Sequence, residues 1–129
     1  MKPELMLLVW AVVLMFLQML VAAQGAFMQV GLARLASNRD AMPEITGWGG
    51  RARRAHLNML ENIALFAPLV VVAVIAGKTN AMTLLGAQIF LWARVAYAVT
   101  YIAGIIWLRT LIWFTSVVGL ILIFLQLIK

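Results

Sequence analysis

"RARRAHLNMLENIALF", residues 51–66, carries Arg51, Arg53, Arg54, His56, Asn58 and Glu61 into a run that continues as apolar sequence to Ala76. Placed on a helix at about 100° per residue, Arg51, Arg54, Asn58, Glu61 and Leu65 fall within a narrow sector, while His56 points nearly the opposite way. The charged groups therefore make a stripe, not a collar. Whether that stripe meets water, lipid or other helices decides the fold, and the rest of the chain supplies the answer.

Of the 129 residues, 66% are hydrophobic and only 11% are charged, with apolar runs such as Leu5 to Val21. A water-soluble domain of this size has too little interior to hide so much apolar surface. The composition predicts an all-α integral membrane protein with one domain, residues 1–129. The polar interval from Ser37 to Arg54 is long enough only for a loop and the start of a helix. A net charge of +6 raises the possibility of nucleic acid, but the ten Lys and Arg are scattered among hydrophobic segments and form no basic, soluble face, so no nucleic-acid partner is expected. There is no cysteine, which excludes thiolate metal sites, disulfides and a protein thiol nucleophile. The lone His56 leaves no pair of histidine ligands, so no metal site is expected either. Any sulfur chemistry must come from a bound small molecule.

Four transmembrane helices are predicted at about 5–35, 48–76, 80–103 and 107–128, with a cytoplasmic loop at 37–47. The breaks fall at "SNRDAMPEITGWGG" (37–50), "GKTN" (77–80) and near Gly104, where helix-ending and turn-forming residues collect. At about 1.5 Å per residue, each segment can cross a hydrocarbon layer of about 30 Å. Lys2, the apolar run and "VAAQG" (21–25) imitate a signal peptide, but the apolar pattern continues to Ala33 as a full span does. Pro68 reads as a kink, because the apolar run resumes at Leu69. Arg34, Arg39, Arg51, Arg53, Arg54 and Arg109 lie on one side of such a topology, against Lys2, Lys78 and Lys129 on the other. The positive-inside rule then puts both termini on the non-cytoplasmic side. The absence of organelle-sorting signals is compatible with a bacterial inner membrane.

Depth estimates bring the polar groups together. Glu61 lies about 24 Å from the outer boundary near Gly77, and Arg94, counted along the third helix from Asn80, about 21 Å in. Each is expensive alone in lipid, so the two are expected to pair across the bundle. Arg94, Tyr97 and Tyr101 share a face at i, i+3 and i+7, and Arg109, Trp113 and Ser116 repeat that spacing on the fourth helix. Arginines near helix ends often only snorkel to the interface, which accounts for Arg39, Arg51 and Arg53. Ionisable groups inside spans are rare and usually functional, which singles out Arg54, Asn58, Glu61, Arg94, Tyr97, Tyr101 and Arg109. Excess arginine facing inward but open to the cytoplasm selects a small anion carrying carboxylates or phosphate. A lipophilic second substrate can enter sideways from the bilayer.

"RRAHLNMLENI" (53–63) closely resembles the signature of the microsomal glutathione transferases in the MAPEG family, the membrane-associated proteins of eicosanoid and glutathione metabolism. "ARVAYAVTYIAG" (93–104) resembles that family's third-helix motif, and Arg109 with Trp113 extends the likeness over nearly the whole chain. The resemblance implies a homotrimer of four-helix subunits, with glutathione as co-substrate bound between neighbours. By position, Arg34, Arg54, Asn58, Glu61, Arg94, Tyr97 and Tyr101 match residues that line or brace the glutathione pocket. Arg109 matches the catalytic arginine thought to stabilise the thiolate. Three departures stand out: Tyr97 where those transferases put His, Thr110 after Arg109 where prostaglandin E synthase has a serine, and Pro68 seven residues after Glu61, not four.

The expected function is a membrane-bound glutathione transferase or peroxidase acting on a lipophilic electrophile or hydroperoxide. The same family has a non-enzymatic branch, so a lipid- or anion-binding protein without turnover is the alternative. Intramembrane arginines also permit a small-anion transporter.

Overall fold

The computed structural model describes all residues 1–129 as four helices: α1 (Pro3–Leu35), α2 (Gly47–Ile75), α3 (Ala81–Ala103) and α4 (Ile106–Leu127). Local chemistry explains their ends. Pro3 opens α1, where its missing N–H and fixed φ carry no penalty. Asn80 caps α3: its side chain accepts from the Met82 and Thr83 amides at 2.8 and 3.0 Å, and the Thr83 hydroxyl accepts from the Asn80 amide at 2.8 Å. Gly104 ends α3 in the left-handed region at φ 84°, a turn that lets α4 start two residues later. Within α1, Gly31 interrupts the regular helix at φ 81° and ψ 164°. Pro68 sits inside α2 and does not end it.

α2 and α3 are the central pair, each touching every other helix, while α1 and α4 do not touch one another. The core between them holds Ala11, Met59, Phe66, Val70, Ala87, Phe90, Leu91, Leu120 and Ile123. Phe66 and Phe90 stack at 4.1 Å between centroids. At the end carrying the termini, buried Glu4 accepts from the Thr83 hydroxyl at 2.9 Å, and Asn80 donates to Gln126 at 2.9 Å, which ties α1, α3 and α4 together.

Only 29 of the 129 residues are buried, and the exposed side chains include Trp10, Phe16, Leu65, Trp92, Val99, Leu111 and Phe114. No water-facing surface is so apolar. All four helices are long and apolar enough to cross a membrane, so the chain is an integral membrane protein and this surface meets lipid or other protein.

Without a hydrophobic force between helices in lipid, close backbone approach supplies the packing. A Cβ added at Gly25 would stand 2.6 Å from Gly49 Cα, where α1 meets α2. One added at Gly119 would stand 2.5 Å from the Gly86 carbonyl oxygen and 2.9 Å from the Phe90 nitrogen, where α3 meets α4. Backbone cannot yield as a flexible side chain can. Gly119→Ala is expected to destabilise the detergent-solubilised protein by about 1–3 kcal/mol, read by denaturant titration; an unchanged midpoint would show that the two helices separate freely.

Candidate functional site

The site sits at the end of the bundle where the 36–46 connection and the α3–α4 turn lie. It is built from α2, α3 and α4. The 3.6-residue period that lines up Arg51, Arg54 and Asn58 on α2 turns that stripe toward α3 and α4, not toward lipid. Arg51 donates to the Ile102 carbonyl at 2.9 Å and so fastens the start of α2 to the end of α3. Arg54 Nε donates to the Tyr101 hydroxyl at 3.2 Å, while the Arg109 guanidinium lies 4.3 Å from the centroid of the same ring. Tyr101 thus receives one arginine at its oxygen and another on its face, and each contact exploits the negative end of a local dipole.

Arg94 lies deeper, with 1% of its surface exposed. Its Nη2 donates to Asn58 Oδ1 at 2.8 Å, and its guanidinium stands 4.3 Å from the Tyr97 ring centroid. Asn62 supports the same acceptor, donating to Asn58 Oδ1 at 3.1 Å and to the Asn58 carbonyl at 2.7 Å. Asn62 was not singled out from the sequence, although its position four residues after Asn58 puts it one turn along the same face. In front of this layer lies a recess of about 200 Å³ lined by Asn58, Tyr97, Arg109, Thr110 and Trp113.

One expectation is corrected. Glu61 and Arg94 do not pair: the single hydrogen bond of Arg94 goes to Asn58, its Nε and Nη1 have no partner, and Glu61 is exposed. Matching depth set the level of the two groups but not their bearing. Glu61 lies about 60° around α2 from Asn58, on the side away from Asn62, so Arg94 meets Asn58 first.

Asn58, Tyr97, Tyr101, Arg54, Arg94 and Arg109 therefore come together within one chain. Arg34 does not join them. It is exposed at the end of α1, where its Nη1 donates to the Ala41 carbonyl at 3.4 Å. His56, which points away from the stripe, lines a second cavity of about 400 Å³, between α1, the connecting loop and α2, together with Arg39, Arg53 and Met42. Arg53, assigned from the sequence to interfacial snorkelling, stands three residues before His56, a spacing that puts both on one side of α2.

A family model described as the MAPEG family matches residues 5–129. Comparison with curated proteins and with solved structures gives no match.

Asn58→Ala would strip the buried Arg94 of its only hydrogen bond. The expected cost is about 1–3 kcal/mol of unfolding free energy in detergent. A change below about 0.5 kcal/mol, the range of ordinary surface substitutions, would mean that Asn58 does not carry Arg94.

Proposed function

The chain belongs to the MAPEG family, and from that premise we propose that it is a glutathione-dependent transferase or peroxidase acting on lipophilic electrophiles or hydroperoxides, with each active site completed between copies of a homotrimer. The observation that carries this reading is the convergence of Asn58, Tyr97 and Arg109 from three helices on one open recess, with Tyr101 joining Arg109 to Arg54 beside it. Glutathione carries two carboxylates and one amine. Arginines in excess of carboxylates suit such a ligand, and exposed Glu61 is free to meet its ammonium group.

Two features support assembly. A recess of about 200 Å³ is smaller than the roughly 300–1,000 Å³ typical of small-molecule sites, so a wall is missing. Arg34, at the end of α1, is bonded to the Ala41 carbonyl and does not line the recess of its own chain, and α1 does not pack against α4. In a closed ring of copies, α1 of one subunit lies against α4 of the next and brings Arg34 to the recess. The apolar groove of about 490 Å³ between α2 and α4, floored by Leu65, Pro68, Leu120 and Phe124, suits a lipophilic second substrate arriving from the bilayer. The arginine-rich end faces the cytoplasm and both termini lie on the opposite side.

The chemical step needs a thiolate. A thiol with a pKa of about 8.5 is only a few per cent ionised at pH 7, and holding it half-ionised there takes about 2 kcal/mol. One charge-assisted contact from Arg109 is worth about 1.5–3 kcal/mol and suffices. The thiolate sulfur then attacks an electrophilic carbon, forming the thioether as the leaving group departs with its electron pair, or attacks the terminal oxygen of a hydroperoxide, breaking the O–O bond to release the alcohol and a glutathione sulfenic acid that a second glutathione converts to disulfide and water.

Arg109→Ala is expected to lower the thiolate absorbance of bound glutathione about tenfold at pH 7 and turnover with it, while glutathione still binds through Arg54 and Asn58. Undiminished thiolate absorbance would remove Arg109 from the chemistry. Arg34→Ala and Arg109→Ala subunits, each impaired alone, should recover part of the activity when co-expressed, because some mixed interfaces carry both arginines. No recovery in verified mixed assemblies would place both residues in one chain's site.

A further inference from the structure

Beneath the 36–46 connection, the cavity that His56 lines has the volume of a ligand site, about 400 Å³ against the roughly 300–1,000 Å³ usual for small molecules. Its walls are fixed. Gln29 Nε2 donates to the Thr46 carbonyl at 2.7 Å and the Thr46 amide donates to Gln29 Oε1 at 2.9 Å, which ties the end of the connection to α1. Beside these bonds Gly25 and Gly49 bring the backbones of α1 and α2 together, leaving no room for a Cβ at Gly25. Next to that contact α1 presents only Ala22, Ala23 and Ala26, and the space that three small side chains leave is the cavity.

Polarity changes along its length. Arg39 and Arg53 stand at the arginine-rich end of the bundle, while Met19 to Ala26 continue the lining about 10 Å along α1 toward the middle of the span. Arg39 does more than snorkel. Its backbone sits in the left-handed region at φ 65°, the Ser37 hydroxyl accepts from its amide at 3.2 Å, and its Nε donates to the Leu35 carbonyl at 2.9 Å, so its two Nη groups remain for a partner. Asp40 and Glu44, the acids of the connection, are exposed and do not line the cavity. His56 Nδ1 is buried without a partner, which leaves Nε2 as the ring nitrogen for a ligand.

Two guanidinium groups with no carboxylate in the lining call for an anion, and their planar forks match a carboxylate. Apolar walls running inward from that end call for an alkyl chain on the same molecule. We propose that this cavity binds a long-chain fatty acid, its carboxylate between Arg39 and Arg53 and its chain against Ala22, Ala23, Ala26 and Met19. Met42 and Ile45 of the connection line the same end, where the glycerol and headgroup of a bilayer phospholipid would need room. Met19, Ala23 and Leu57 are exposed, so the chain enters sideways from the bilayer. His56 points away from the α2 stripe that builds the recess, and binding on its side of the helix does not rest on the glutathione reading.

Oleate and oleyl alcohol, which share a chain and differ at the head, test it. Titrated into the purified protein in micelles and read by native mass spectrometry, oleate is expected to be retained at one per chain and at least about tenfold more tightly than the alcohol. Arg39→Gln/Arg53→Gln removes that preference. Ala23→Phe fills the cavity from its exposed side, leaves the charges in place and weakens both ligands about tenfold, the loss of two or so buried methylenes. A palmitate carrying a photoreactive diazirine at the chain end is expected to label residues 19–26 of α1 or Leu57, and to lose that label in Ala23→Phe. Both arginines are exposed, so their double variant serves alone if Ala23→Phe does not fold. Equal retention of oleate and oleyl alcohol overturns the proposal, as does a label confined to the α2–α4 groove. Phosphatidylglycerol that displaces oleate at equal concentration makes the occupant a bilayer lipid and overturns it too. Retention of neither ligand, with oligomers that fall apart in Ala23→Phe, makes the cavity a seat for a second copy and likewise overturns it.

Discussion

A guanidinium inside an apolar bundle is the constraint on which the site depends. Removing such a group from water costs several kcal/mol even after relaxation, and no carboxylate offsets the charge of Arg94. Its surroundings consist of the Asn58 amide at 2.8 Å and the Tyr97 face at 4.3 Å. Both are neutral. Asn58 is in turn held by Asn62, and Tyr97 stands 5.5 Å from Tyr101, which joins Arg54 to Arg109. One buried charge thus holds Asn58 and Tyr97 at a recess that Arg109 also lines, with Arg54 joined to Arg109 through Tyr101.

That arrangement has a consequence for recognition. Buried ion pairs silence each other, whereas a guanidinium held by an amide and an aromatic ring keeps its field. With Arg109 in its lining and Arg54 nearby through Tyr101, the recess attracts anions and discriminates against cations. Tyr101 prevents the two outer arginines from simply separating toward solvent, since it engages one by its hydroxyl and the other by its ring. Selectivity for a particular anion then depends on the missing wall and on where Glu61 and Arg34 come to lie.

Much of this was legible in the sequence because helical periodicity is a strong signal. The α2 stripe and the Arg94–Tyr97–Tyr101 face follow from spacing alone, and membrane character follows from composition. The partner of Arg94 was not legible, since residue counts give depth along a helix but not which edge of a neighbour a side chain meets. The Gly86–Gly119 contact was likewise hidden, because glycine in a span reads equally as a packing surface or as filler.

The most direct measurement is calorimetric titration of reduced glutathione into the purified protein in detergent, with its assembly state determined on the same sample. A site shared between three copies predicts saturable heat with three sites per trimer, weakened by salt because arginines hold the carboxylates. A folded, assembled protein that gives no saturable heat would contradict the glutathione reading at its root.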